Sequence, residues 1–138
     1  MAGTTDRLHR ISDELLAILK EEVPDIPWTE SVIGPSFPQT LTGYICCDTV
    51  EYESYTKQAA AANALYTIEI ICPDPQHMNS VRQVETLAIQ VKDVLRKNGN
   101  IDGWALSSMV NRIVFATPAG MKHVGVAIME FAVRFIDE

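Results

Sequence analysis

Asp74-Pro75-Gln76-His77-Met78-Asn79-Ser80-Val81-Arg82-Gln83-Val84-Glu85-Thr86-Leu87-Ala88-Ile89-Gln90-Val91-Lys92-Asp93-Val94-Leu95-Arg96-Lys97-Asn98-Gly99-Asn100 is the stretch that decides the fold. Asp74 is a good helix cap and Pro75 suits a first helical position. Val81, Val84, Leu87, Ala88, Val91, Val94 and Leu95 recur at three- and four-residue spacing and make one apolar stripe. Arg82, Glu85, Gln90, Lys92, Asp93, Arg96 and Lys97 fill the opposite side. Lys92, Arg96 and Lys97 complement the C-terminal end of the helix dipole, and Asn98-Gly99-Asn100 is a stop signal. Burying such a stripe is worth roughly 1.5–3 kcal/mol per large side chain. The helix therefore needs a broad apolar surface, with Val84, Leu87, Val91 and Leu95 laid against it.

Sequence on both sides of the helix supplies a sheet. Downstream, 104–116 and 121–136 are strand-like and joined by the turn Thr117-Pro118-Ala119-Gly120. In the last strand Met129, Phe131, Val133 and Phe135 alternate with Glu130, Ala132 and Arg134, the period of a half-buried strand. Upstream, 40–57 reads as a long strand, 58–63 as a hairpin connection or short helical turn, and 64–72 as a second strand. Tyr66, Ile68 and Ile70 share one face of that second strand, with Thr67 and Glu69 on the other. Residues 5–22 form an amphipathic helix through Leu8, Ile11, Leu15, Ile18 and Leu19, capped by Thr4 or Thr5 and stopped by Pro24 and Pro27. Between 24 and 39, Pro24, Pro27, Gly34, Pro35 and Pro38 read as a long loop with neither helix nor strand. Trp28, Ile33 and Phe37 are its apolar anchors. The expectation is a single α+β domain over 1–138. It has a mainly antiparallel four-stranded sheet with both helices on one face, in the order α-β-β-α-β-β.

Charge narrows the function classes. The chain has 138 residues and a net charge of −7, which argues against a general nucleic-acid binder. Residues 1–75 carry 12 acids and 4 bases, whereas 76–138 carry 6 acids and 7 bases. Between Glu21 and Lys57 there are seven acids and one base. Such a block is either a solvated surface or one of two complementary faces that meet when copies assemble head to tail. The first twenty residues, with Asp6, Arg7, Arg10, Asp13, Glu14 and Lys20, do not resemble a secretory signal. No apolar run reaches the ~18 residues of a membrane span.

No chemistry-bearing motif stands out. Cys46, Cys47 and Cys72 lack metal-ligand spacing, and adjacent strand residues point to opposite faces. They are read as unbridged, metal-free thiols acting as small apolar residues. His9, His77 and His123 are scattered. No GxxxxGK, GxGxxG or nucleophile elbow occurs. Glu21-Glu22 and Glu51/Glu53 are read as solvated carboxylates. The expectation is no catalytic site, cofactor or metal. Tyr44, Tyr52, Tyr55 and Tyr66 are either ordinary strand residues or contact residues. Tyr52 and Tyr55, near the hairpin tip, together with Trp28, are the candidate interface residues.

The whole pattern resembles the tail-terminator, or tail-completion, family of long-tailed bacteriophages, which includes the lambda-type minor tail proteins. The resemblance rests on the N-terminal helix, the proline-punctuated loop and a strand hairpin ending Leu65-Tyr66-Thr67-Ile68-Glu69-Ile70. It extends through the helix Val84-Glu85-x-Leu87-Ala88-x-x-Val91-x-x-Val94-Leu95 and a last strand Met129-Glu130-Phe131-Ala132-Val133-Arg134-Phe135. It is a likeness of element order and patterning. It implies a virion protein, made in the bacterial host cytoplasm, that forms a six-fold ring on the finished tail tube. Such a ring ends tube polymerisation and meets the head–tail connector, while DNA passes through without sequence-specific binding. The alternatives are another ring protein of the neck or tube and a cytosolic small-ligand-binding α+β domain.

Overall fold

The computed structural model describes residues 4–30, 40–53, 59–73, 80–116 and 124–137. Two helices, α1 (Thr4–Glu22) and α2 (Ser80–Lys97), accompany five strands. These are β1 (Trp28–Glu30), β2 (Thr42–Glu53), β3 (Ala60–Pro73), β4 (Ser107–Ala116) and β5 (Val124–Asp137). They form one sheet in the order β1-β2-β3-β5-β4. The β2–β3 and β4–β5 pairs are antiparallel, as expected of two hairpins, and β3 and β5 join them antiparallel along their whole length.

The expected α+β class and mainly antiparallel pairing hold, but the sheet has five strands rather than four, and the extra one makes it mixed. The addition is β1, whose Trp28 pairs in parallel with Gly43 and Glu30 with Ile45. It is short, three residues directly after Pro27. Pro27 precedes the strand and offers only its carbonyl, which accepts a hydrogen bond from the Gly43 N–H at 3.0 Å. A second correction concerns 60–63, which are strand and not a connection. Ala62 stands opposite Phe135 and Ala64 opposite Val133. A small residue there leaves room for a large neighbour, so packing overrides alanine's weak strand preference. The expected cap at Asp74-Pro75, the turn 117–120 and the remainder of the loop, 31–39, lie outside the described residues.

Both helices pack on one face of the sheet. From α1 come Ile11, Leu15 and Leu19, all fully buried, with Leu8 and Ile18 partly buried. From α2 come Val84, Leu87, Val91 and Leu95, the four residues that the stripe singled out, with Ala88 between them. Val94 is partly buried, but Val81 at the start of the stripe is exposed. They meet Ile45, Tyr66, Ile68, Ile70, Met129, Phe131, Val133 and Phe135. Tyr66 is satisfied at depth: its hydroxyl lies 2.8 Å from that of Ser12 on α1. Helix α2 ends at Lys97 as Asn98-Gly99-Asn100 predicts. The Asn98 amide donates to the Val94 carbonyl and to Glu22 Oε2, each at 2.8 Å, and Lys97 Nζ reaches Glu22 Oε1 at 2.5 Å. The left-handed residues come just after, at Ile101, Asp102 and Gly103. That reversal buries Ile101 and places Trp104 under the guanidinium groups of Arg7 and Arg10, 5.3 and 5.6 Å from the ring centre.

The other face of the sheet is more polar. Arg134 holds Glu53 through two contacts of 3.0 and 3.1 Å across β3, and Asn63 joins them. Arg112 pairs with Glu130 at 3.0 Å. Thr67 donates to Asp48, which sits in the bulge between Cys47 and Thr49, and Tyr44 donates to Glu69. A small apolar group of Tyr44, Ile71 and Val126 lies buried among them, edged by Val124 and Ile128.

Candidate interface surfaces

The three residues singled out as contacts fare differently. Trp28 is turned into the chain's own core, 4% exposed, with its indole N–H donating to the Val23 carbonyl at 3.1 Å. Tyr52, opposite Ala62 toward the end of β2, stands 53% exposed. Tyr55 lies outside the described residues. Of the other tyrosines, Tyr44 and Tyr66 have intramolecular partners, and burial first of all raises both phenols above their ordinary range. Tyr52 is thus the one exposed tyrosine among the described residues.

The larger exposed apolar surface is elsewhere. Strand β4 closes one edge of the sheet, and its side chains include Met109, 64% exposed, with Val114 and Phe115. Leu106, immediately before it, is 59% exposed, and Val81 and Ile89 are exposed on α2. Among the described residues, six of the seven large exposed apolar side chains therefore sit on α2, β4 or the turn between them. The sequence predicts strand over 104–116, of which 107–116 is strand, but does not reveal this surface. The run Ser107-Ser108-Met109-Val110-Asn111-Arg112-Ile113-Val114 has no clean alternation, and a bulge between Val110 and Arg112 shifts its register. A concavity of about 600 Å³ borders the start of β4, where Lys92, Leu95 and Arg96 of α2 approach Ser108 and Val110. Its lining also takes in Asn63, Met109 and Arg134 from the other face of the sheet, so it is an open rim and not an enclosed chamber.

Charge is divided in the same direction. Helix α1 lies over β1 and β2, whereas α2 lies over β5, β3 and β4. Residues 7–53, on the α1–β1–β2 side, carry nine acids and three bases; residues 80–116, on the α2–β4 side, carry five bases and three acids. One sheet edge therefore belongs to an acidic flank and the other to a basic, apolar one.

The residues that could carry chemistry are not drawn together. No group of three or more His, Cys, Asp or Glu suited to a metal ion occurs among the described residues. His9 is exposed on α1, and His77 and His123 lie outside the described residues. None of the three cysteines is in a disulfide. Cys46 and Cys47 take opposite faces of β2 as expected, pairing with Thr67 and Tyr66. Burial and then Asp48 push the Cys47 thiol up to about 11, and the same two causes raise Cys46. Cys72 is buried and donates to Gln83 Oε1 at 3.2 Å. No helix among the described residues is long and apolar enough to cross a membrane.

These features define an α+β fold, two helices on one face of a five-stranded mixed sheet, with two unlike flanks. No protein-family profile matches the sequence, and no curated protein matches it. Solved structures do match in outline. One has a TM-score of 0.47 at 13% identity and covers 88% of this chain and 94% of its own. Another is a chain from the virion of a native gene transfer agent particle, with a TM-score of 0.44 at 10% identity, covering 93% of this chain and 92% of its own. Likeness at that level is one of outline and carries no function across.

Proposed function

We propose that this chain is a structural virion-assembly protein, a tail-terminator subunit. Copies form a ring, six-fold as the family resemblance implies, on the end of the phage tail tube. That ring ends polymerisation and joins the tube to the head connector. One observation carries the reading: the two outer strands of the described sheet belong to flanks of opposite charge, which suits the two unlike surfaces that a head-to-tail contact joins. The resemblance in element order supports the same conclusion. Exposed Tyr52, near the β2–β3 end, is the residue assigned to contact with a neighbouring copy or with the tube. An acidic ring would let the DNA duplex slide through without sticking.

The test is the mass of the purified protein by light scattering, over a range of salt and with and without divalent cation. A ring gives a mass well above twice the 15.3 kDa subunit, and salt lowers it because exposed charge pairs are screened over about 8–10 Å. A 15.3 kDa species under every condition would favour the second reading, a small-ligand-binding domain. The concavity at the start of β4 is the feature that would then be examined.

A further inference from the structure

The geometry points to a particular contact between copies: the β4 edge and α2 flank of one subunit dock against the acidic α1–β1 flank of the next. This assignment rests on the ring reading and names its surfaces.

Three observations carry it. First, β1 and β4 are the two outer strands of a single sheet, and an outer strand leaves alternate N–H and C=O groups unpaired. Edges that must stay unpaired usually carry free charges or prolines. Described β4 has one charged residue, Arg112, and Glu130 of the same chain already holds it at 3.0 Å. Second, Met109, Val114 and Phe115 remain exposed on that edge with Leu106 beside it, an apolar concentration unlike anything described on the β1 side. Third, the flanks are complementary in charge. Arg96 is exposed and Lys92 half-exposed on α2; Glu21 on α1 and Glu30 in β1 are exposed at the other end. A symmetric contact of β4 with β4 would instead bring two basic flanks together. The occupant of the β4 flank is therefore a second copy, placed head to tail.

The experiment compares solution mass, by analytical ultracentrifugation, of the full chain and three variants, with thermal melting as the fold control. Met109→Lys with Val114→Lys should reduce the wild-type multimer to the 15.3 kDa subunit while leaving the melting temperature nearly unchanged. Lys92→Glu with Arg96→Glu, confined to α2, should weaken association as well and stands in if the β4 variant fails to fold. Adding Glu21→Lys and Glu30→Lys to that chain swaps the sign of these four charges on both surfaces and should recover part of the lost association. A wild-type multimer that both the β4 and α2 variants still form overturns this surface and leaves the ring reading intact. A wild-type protein that stops at a dimer overturns the head-to-tail arrangement, and one that is monomeric throughout overturns the ring reading with it.

Discussion

A Cβ placed on Gly43 would sit 2.7 Å from Cε3 of Trp28 and 2.6 Å from Cγ2 of Ile26. The missing side chain is thus the seat of the indole, and it lets a three-residue strand lie parallel to β2. Neither neighbour is the end of a flexible chain, so neither yields cheaply. Gly43→Ala should lower the unfolding free energy by about 1–3 kcal/mol, read from a urea transition. An unchanged midpoint would mean that the β1 seat is loose.

The α2 stripe should be unequal in worth along its length. Leu87→Ala should cost roughly 2–5 kcal/mol, as for other buried leucines. Ile89→Ala, on a side chain 50% exposed, should stay within about 0.5 kcal/mol. Equal losses would contradict the packing of α2 on the sheet.

Acid should weaken the fold through two carboxylates. The Lys97 ammonium and the Asn98 amide hold Glu22 below its ordinary 4.5, and Arg134 and Asn63 do the same for Glu53. The unfolded chain then binds protons more readily. The contribution is present above 4.5 and is lost as pH falls through the lowered values. Glu53 is exposed and Glu22 partly so, and the effect is small. Glu22→Gln with Glu53→Gln should flatten the acid limb of melting temperature against pH. An unchanged limb would show that other groups set it.

The β2 thiols should be sluggish. With Cys47 raised to about 11 and Cys46 raised too, little thiolate exists at neutral pH. Iodoacetamide should label the folded protein at least ~10-fold more slowly than free cysteine, and rapidly in denaturant. Rapid labelling of the folded chain would contradict the burial and acidic surroundings assigned to β2.

How much of this was legible in sequence depends on the range of the interaction. The stripe Val84-Leu87-Val91-Leu95 announces itself because helix period is local, and the Asn98-Gly99-Asn100 stop likewise. That Tyr44 and Tyr66 would be consumed internally while Tyr52 stayed exposed was not legible. Their partners Glu69 and Ser12 lie 25 and 54 residues away. The β4 surface was hidden for the same reason. Its exposure follows from β3 pairing with β5 across the whole helix and second hairpin, which leaves β4 outermost. Strand β1 was masked by its shortness and by the prolines of the surrounding segment, Pro27 directly before it and Pro35 five residues after it. Trp28 looked like a loop anchor because nothing nearby in sequence shows that Gly43 makes room for it.

Tail capping is best measured in a phage or prophage deleted for this chain, with the protein supplied in trans and tail lengths read by electron microscopy. A tail terminator gives overlong, headless tails in the deletion, normal headed tails with the wild-type chain, and a capping defect with a folded Tyr52→Ser variant. Tails of normal length that join heads in the complete absence of the chain would contradict it.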